Sequence, residues 1–209
     1  TEDLEEFDSD EAFPMKPQRI LSDLREVMAD PDILISDVGA HKLWVARHYT
    51  TFLPNTCIIT NGFCSMGFAL PGAIAAKKLY PESNVVALCG DGGFMMNVQD
   101  LITAVRYKIP IVVLIWDDNG FGLIRWKQGL QFCRHAYTDL VNPDFVKLAE
   151  SFDCLGLRVE SAAGLKPALQ RAFAEKTRPT VITVAVDYEE NVKLMRKTGD
   201  LTCPPDSLL

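Results

Sequence analysis

The sequence predicts an α/β domain: an open, mostly parallel sheet with helices on both faces. Three observations carry that prediction. Short apolar runs alternate with longer helical patterns along most of the 209 residues. The runs are apolar throughout instead of alternating with polar residues, and glycines and acidic residues gather just beyond several of them. A strand that is apolar on both faces belongs to a sheet covered on both sides, which is how parallel sheets are built.

The first 13 residues carry Glu2, Asp3, Glu5, Glu6, Asp8, Asp10 and Glu11 with no Lys or Arg. Residues 1–16 therefore read as a solvated acidic linker or arm. The formal net charge of −7 belongs to that arm, because the remaining acidic residues equal the 21 Lys and Arg in number. A near-neutral folded part offers no basic surface for nucleic acid. The domain itself is expected over residues 17–191, with 192–209 as a C-terminal tail.

From Pro17 to Ala29, Ile20, Leu21, Leu24, Val27 and Met28 share one helical face. Strands follow at Asp32–Ser36 and Cys57–Thr60. Met66 to Tyr80 is Ala-rich and helical, with Pro71 confined to its early part. Val85–Cys89 is a strand, followed by GDGG and a helix marked by Val98, Leu101, Ile102 and Val105, which Pro110 cannot continue. Ile111–Trp116 is a strongly β-branched strand. A helix at Asp144–Phe152, a strand at Cys154–Val159, a helix at Leu165–Ala174 and a strand at Thr180–Val186 complete the set.

No apolar run approaches the roughly 18 residues of a membrane span, and the acidic start does not read as a secretory signal. The six cysteines, at 57, 64, 89, 133, 154 and 203, include no CxxC pair. That pattern suits a reducing, cytoplasmic protein without a disulfide framework.

In open α/β sheets, ligands bind outside the carboxyl ends of the strands. Here one strand runs into Ser36-Asp37-Val38-Gly39-Ala40-His41, another into Gly90-Asp91-Gly92-Gly93, and a third into Asp117-Asp118-Asn119-Gly120. Asp91 and Asp118 are separated by a single helix and a returning strand. If those strands are neighbours, their ends lie about 5 Å apart and both carboxylates reach one small cation. The glycines let backbone approach an anion closely. GDGG alone is also a common turn, and Asp117 and Asp118 would serve equally to cap a helix. Neither GxxxxGK[ST] nor GxGxxG is present.

The stretch GDGGFMMNVQDLITAVRYKIPIVVLIWDDNG resembles the signature of thiamine diphosphate enzymes, which begins GDG and closes near an Asn-Asn pair. Asp118 stands where the second Asn of that pair normally ligates Mg²⁺, and Gly120 where a backbone carbonyl does. The WxDNG segment and VDYEEN are similar to the catabolic acetolactate synthases. DVGAHKLW resembles the family's diphosphate-contacting loop, through Gly39, Ala40 and His41. NGFCSMGFALPGAIAAK resembles the segment under the bent middle of the cofactor. By that match Met66 is the apolar wedge and the Cys64 carbonyl meets the aminopyrimidine. The resemblance covers about Pro17 to Asn191.

It implies a thiamine diphosphate-binding fold whose cofactor is held by Gly39, Ala40, His41, Cys64, Met66, Gly90, Asp91, Gly92, Gly93, Asp118, Gly120 and Phe121. The implied Mg²⁺ ligands are Asp91, Asp118 and Gly120. The implied reaction decarboxylates pyruvate and condenses the product with a second pyruvate to give 2-acetolactate and CO₂. The activating glutamate of the family sits on a pyrimidine-binding domain, in the same protein or a partner subunit. These residues contain no counterpart of that domain, so no catalytic residue is assigned, the chain is expected to be inactive alone, and homo-oligomers are expected. Biosynthetic relatives carry a Trp shortly after the signature. Aligning Leu123-Ile124 with the family's apolar pair puts Lys127 there, with Trp126 one step off.

Each assignment has a plainer reading: Met66 and Trp116 as core residues, His41 as a surface residue, Asp37 as a turn. Two other functions stay open at this point. One is a different thiamine diphosphate-dependent decarboxylase or carboligase, or its split subunit; the other is a non-catalytic dimerisation or regulatory domain.

Overall fold

The structure, a computed structural model, describes residues 10–191. Most of the acidic arm and all of the C-terminal tail expected from the sequence lie outside that range. Among the described residues six strands form one sheet, β1 (Ile33–Ser36), β2 (Cys57–Ile59), β3 (Val85–Gly90), β4 (Val112–Asp117), β5 (Leu155–Val159) and β6 (Thr180–Ala185). They stand in the order β2-β1-β3-β4-β6-β5, and every pairing is parallel.

The helices are α1 (Pro17–Val27), α2 (Ala40–His48), α3 (Ala69–Leu79), α4 (Asp91–Met96), α5 (Leu101–Arg106), α6 (Gly122–Phe132), α7 (Phe145–Ser151) and α8 (Leu165–Ala174). The alternating side chains of the strands divide between two cores. Leu34, Val86, Leu88, Leu114, Trp116 and Ile182 pack with Leu24 of α1, Trp44 of α2 and Leu169 of α8. Ile35, Ala87, Cys89, Val113 and Val181 pack with Ala73 of α3, Leu101 of α5 and Phe145 of α7. Both strand faces are thus dry, which accounts for the uninterrupted apolar runs. Met15 joins the first core, and its bridge to Val186 brings the chain into the fold before Pro17.

Several expected elements differ in extent. The helix expected from Met66 begins only at Ala69, because the backbone N–H groups of Gly67 and Phe68 are drawn to the Asp37 carboxylate. Asp91 opens a helix of its own, and a 3₁₀ turn at Val98–Asp100 separates it from α5. Asp144 caps α7, accepting from the backbone of Val146 and Lys147. Four cysteines, Cys57, Cys64, Cys89 and Cys154, are free thiols. Cys133 is disulfide-bonded.

The chain leaves β1 toward β2 on one side and β3 toward β4 on the other, with α2 and α4 on opposite faces. Such a divergence opens a crevice at the carboxyl ends of β1 and β3.

At Gly156 of β5 the backbone of α7 lies close against the sheet. A methyl group there would lie 2.8 Å from the Val146 carbonyl oxygen and 3.0 Å from its Cα. Backbone cannot yield as a side-chain tip does, so Gly156→Ala is expected to cost about 1–3 kcal/mol. Urea unfolding measures this; an unchanged midpoint would mean that α7 slides freely on the sheet.

Candidate functional site

The crevice forms a pocket lined by Val38, Gly39, Ala40, His41, Met66, Gly90, Asp91, Gly92, Gly93, Asp118, Gly120, Phe121, Gly122 and Tyr188. Of the twelve residues that the resemblance implies as cofactor contacts, Cys64 alone does not line it. Its thiol lies 3.2 Å from Lys42 Nζ, on a left-handed backbone.

β3 and β4 are neighbours, with Gly90 opposite Trp116, so Asp91 and Asp118 leave adjacent strand ends. Asp91 is 1% exposed. Its Oδ1 accepts from the backbone of Gly92 at 2.7 Å, and its Oδ2 from the backbone of Gly120 at 3.0 Å and Asn142 Nδ2 at 2.7 Å. The Asp118 side chain is 11% exposed, and Arg125 Nη1 stands 3.9 Å from it. Burial, reinforced by the charge of Asp91, pushes the Asp118 carboxyl up to about 7. Burial also raises Asp91. Two like charges short of solvent and of a strong counter-charge form a donor set suited to a divalent cation. Among the described residues no three His, Cys, Asp or Glu side chains converge. Two carboxylates fit Mg²⁺, which takes one or two and completes its shell with water and phosphate oxygens.

Asp37, the third acid at a strand end, does different work. It is fully buried, and its carboxylate accepts from the backbone of Val38, Gly67 and Phe68 at 2.8, 2.9 and 3.3 Å. It therefore ties the segment before α3 to the end of β1. Gly67 meets this clamp at φ +84°, and a methyl group there would strike Asn97 Nδ2 at 2.9 Å. In GDGG, a methyl group on Gly92 would meet the Phe121 ring at 2.6 Å, and one on Gly93 would meet Asp37 Oδ2 at 2.7 Å. These glycines let neighbouring elements close over the site.

His41 is 1% exposed and opens α2 beneath the pocket, not at the surface. The Asp37 backbone carbonyl takes a hydrogen bond from its ring, and Nε2 has no partner. Burial lowers its pKa to about 4. A bound anion beside Nε2 would favour the protonated ring and supply the missing partner. Met66 is half-buried, whereas Trp116 is fully buried, edge-on to His41 at 6.3 Å.

A larger cleft of about 950 Å³ shares Asp118, Gly122 and Tyr188 with the pocket and adds Arg125, Trp126, Arg134 and His135. Trp126 lines it; Lys127, which the alignment placed where biosynthetic relatives carry a Trp, is exposed and does not. Sequence reasoning also missed Asn142 and Tyr188. The NPD at 142–144 signals a helix start, and that signal conceals a side chain turned toward Asp91.

A parallel sheet whose carboxyl edge presents paired acids over glycines defines an α/β domain with a crevice of the kind in which such sheets bind ligands. The chain belongs to the family of the thiamine pyrophosphate enzyme C-terminal TPP binding domain, which it matches over residues 37–184. It is 38% identical over 201 residues to an acetolactate synthase of Bacillus subtilis, covering 94% of this chain and 35% of that protein. It is 36% identical to the catabolic acetolactate synthase of Raoultella terrigena, over 88% of this chain and 33% of that one. It is 35% identical to the mitochondrial acetolactate synthase catalytic subunit of Saccharomyces cerevisiae, over 88% of this chain and 27% of that one. The chain thus spans about a third of the length of the curated relatives it matches.

A neutral buried imidazole carries a pH signature. Above pH 6.5 His41 is neutral folded and unfolded alike. As pH falls toward 4 the unfolded chain takes up a proton that the folded chain refuses, and stability is lost. The loss attributable to His41 is on the order of 3 kcal/mol. Unfolding free energies of wild type and His41→Gln between pH 7 and 4 should therefore converge; parallel curves would place a charged ring in the fold.

Proposed function

We propose that this domain binds thiamine diphosphate and Mg²⁺ as the diphosphate-holding part of an acetolactate synthase-like enzyme. That enzyme decarboxylates pyruvate and condenses the product with a second pyruvate, yielding 2-acetolactate and CO₂. The observation that carries the reading is the approach of Asp91 and Asp118 at adjacent strand ends, in one pocket with the glycines.

Asp91, Asp118 and the backbone carbonyl of Gly120 would hold the metal. Gly39, Ala40, His41, Gly90, Gly92 and Gly93 would surround the diphosphate, Met66 and Phe121 would pack against the cofactor, and the carbonyl of Cys64 would face its pyrimidine. Bound there, thiamine diphosphate supplies the carbon nucleophile that adds to a 2-oxoacid and accepts the electrons left as CO₂ departs. The protein's part is to hold charge and exclude water. Burial that raises both carboxylates also strengthens their attraction for a cation.

On this reading the activating carboxylate comes from a pyrimidine-binding domain in the same protein or a partner subunit. On that reading this chain alone is inactive. Phe63, Phe68, Met95 and Met96 are exposed large apolar side chains, an arrangement suited to cover by such a domain or a second copy. No helix among the described residues is long and apolar enough to cross a membrane, in keeping with a cytoplasmic enzyme.

Calorimetric titration of thiamine diphosphate with Mg²⁺ and again with EDTA, with a pyrimidine-binding domain supplied, tests the reading. Binding should require the metal, and 2-acetolactate should form from pyruvate. Asp91→Ala should abolish the metal-dependent binding. Asp118→Asn, which restores the ligand usual in the wider family, should retain most of it. Equal loss in both variants would remove Asp118 from the metal, and metal-independent binding would overturn the assignment.

A further inference from the structure

Asn142 lies outside every motif that resembles the family signature, in the turn leading to α7. Its amide has one NH₂ group, and both hydrogens are committed: Nδ2 lies 2.7 Å from Asp91 Oδ2 and 2.8 Å from Asp117 Oδ1. Both neighbours are carboxylates, so only the NH₂ side of the amide can face them, and the orientation follows from the chemistry. The turn does not need Asn142 as a cap, because Asp144 caps α7.

The effect on Asp91 follows from counting acceptor sites. An ionised carboxylate offers roughly four lone-pair directions. The backbone of Gly92 takes one on Oδ1, and the backbone of Gly120 and the amide of Asn142 take two on Oδ2. One direction is left, on Oδ1. Without Asn142, Oδ2 would regain a free lone pair, the carboxylate could rotate, and the charges of Asp91 and Asp117 would lose the amide between them.

We propose that Asn142 is a positioning residue for the metal: it bridges Asp91 and Asp117 and holds Asp91 so that one Oδ1 lone pair is presented to the cation. This rests on the reading of Asp91 as a metal ligand. A hydrogen-bond partner behind a metal ligand orients it, and removal of such a partner characteristically weakens metal affinity about 10–100-fold.

The test measures the Mg²⁺ dependence of thiamine diphosphate binding by calorimetry, with the pyrimidine-binding domain supplied, for wild type, Asn142→Ala and Asn142→Ser. Thermal unfolding without metal is recorded alongside. The alanine variant should need about 10–100-fold more Mg²⁺ for half-saturation and recover full binding when Mg²⁺ is raised. The serine variant, which keeps one donor, should fall between. Unchanged Mg²⁺ dependence in both variants, or a loss that added Mg²⁺ does not relieve, overturns the proposal while leaving the metal reading intact. Metal-independent binding in the wild type overturns both.

Discussion

Parallel strands deliver their carboxyl ends to one edge of a sheet about 5 Å apart, and here two neighbouring ends carry acids that are almost buried. Asp91 is satisfied by three donors and Asp118 stands 3.9 Å from a guanidinium, so the dominant electrostatic feature of the site is the burial of carboxylate charge, with the repulsion of Asp118 by Asp91 second. On the proposed function, a divalent cation would relieve that repulsion. Much else near the carboxyl edge of the sheet serves to bring these groups close without water. Gly92 admits the Phe121 ring, Gly93 admits Asp37, and Asp37 fastens the segment before α3 against the end of β1.

The same economy explains why polar residues are buried around the pocket without being alike in role. Asp37 is spent on backbone N–H groups and has no share in the paired acids. His41 stays neutral, its ring hydrogen-bonded to the Asp37 carbonyl and its Nε2 left for whatever fills the pocket. Trp116 lies edge-on to it at 6.3 Å, and the Tyr188 ring lies 6.2 Å from that of Trp116. A rigid frame of this kind places charge in a low-dielectric setting, where a bound cation gains most from it.

The strands and the paired acids were legible from sequence because each depends on local pattern: a run of β-branched residues, and an acid next to glycine. The domain's helices were less evenly visible. α2 went unread because His41 and His48 share its buried side with Trp44 and Val45, so no apolar stripe marks it. α6 went unread because only Gly129 in it is buried. Asn142 was invisible for a different reason. Its contacts span 51 and 25 residues of sequence, and no local signal distinguishes an amide that bridges carboxylates from one that begins a turn. Trp126 lines the larger cleft although family spacing pointed to Lys127, since the turn of α6 and not the alignment decides which side chain faces inward.

We propose that one cation sits between Asp91 and Asp118 at the carboxyl edge of the sheet. Anomalous diffraction from crystals grown with Mn²⁺ and thiamine diphosphate tests it most directly. A single peak within ligand distance of both carboxylates, next to diphosphate density over Gly92 and Gly93, is the predicted result. A diphosphate bound there with the metal absent or held elsewhere, and Asp118 turned to solvent, would contradict it.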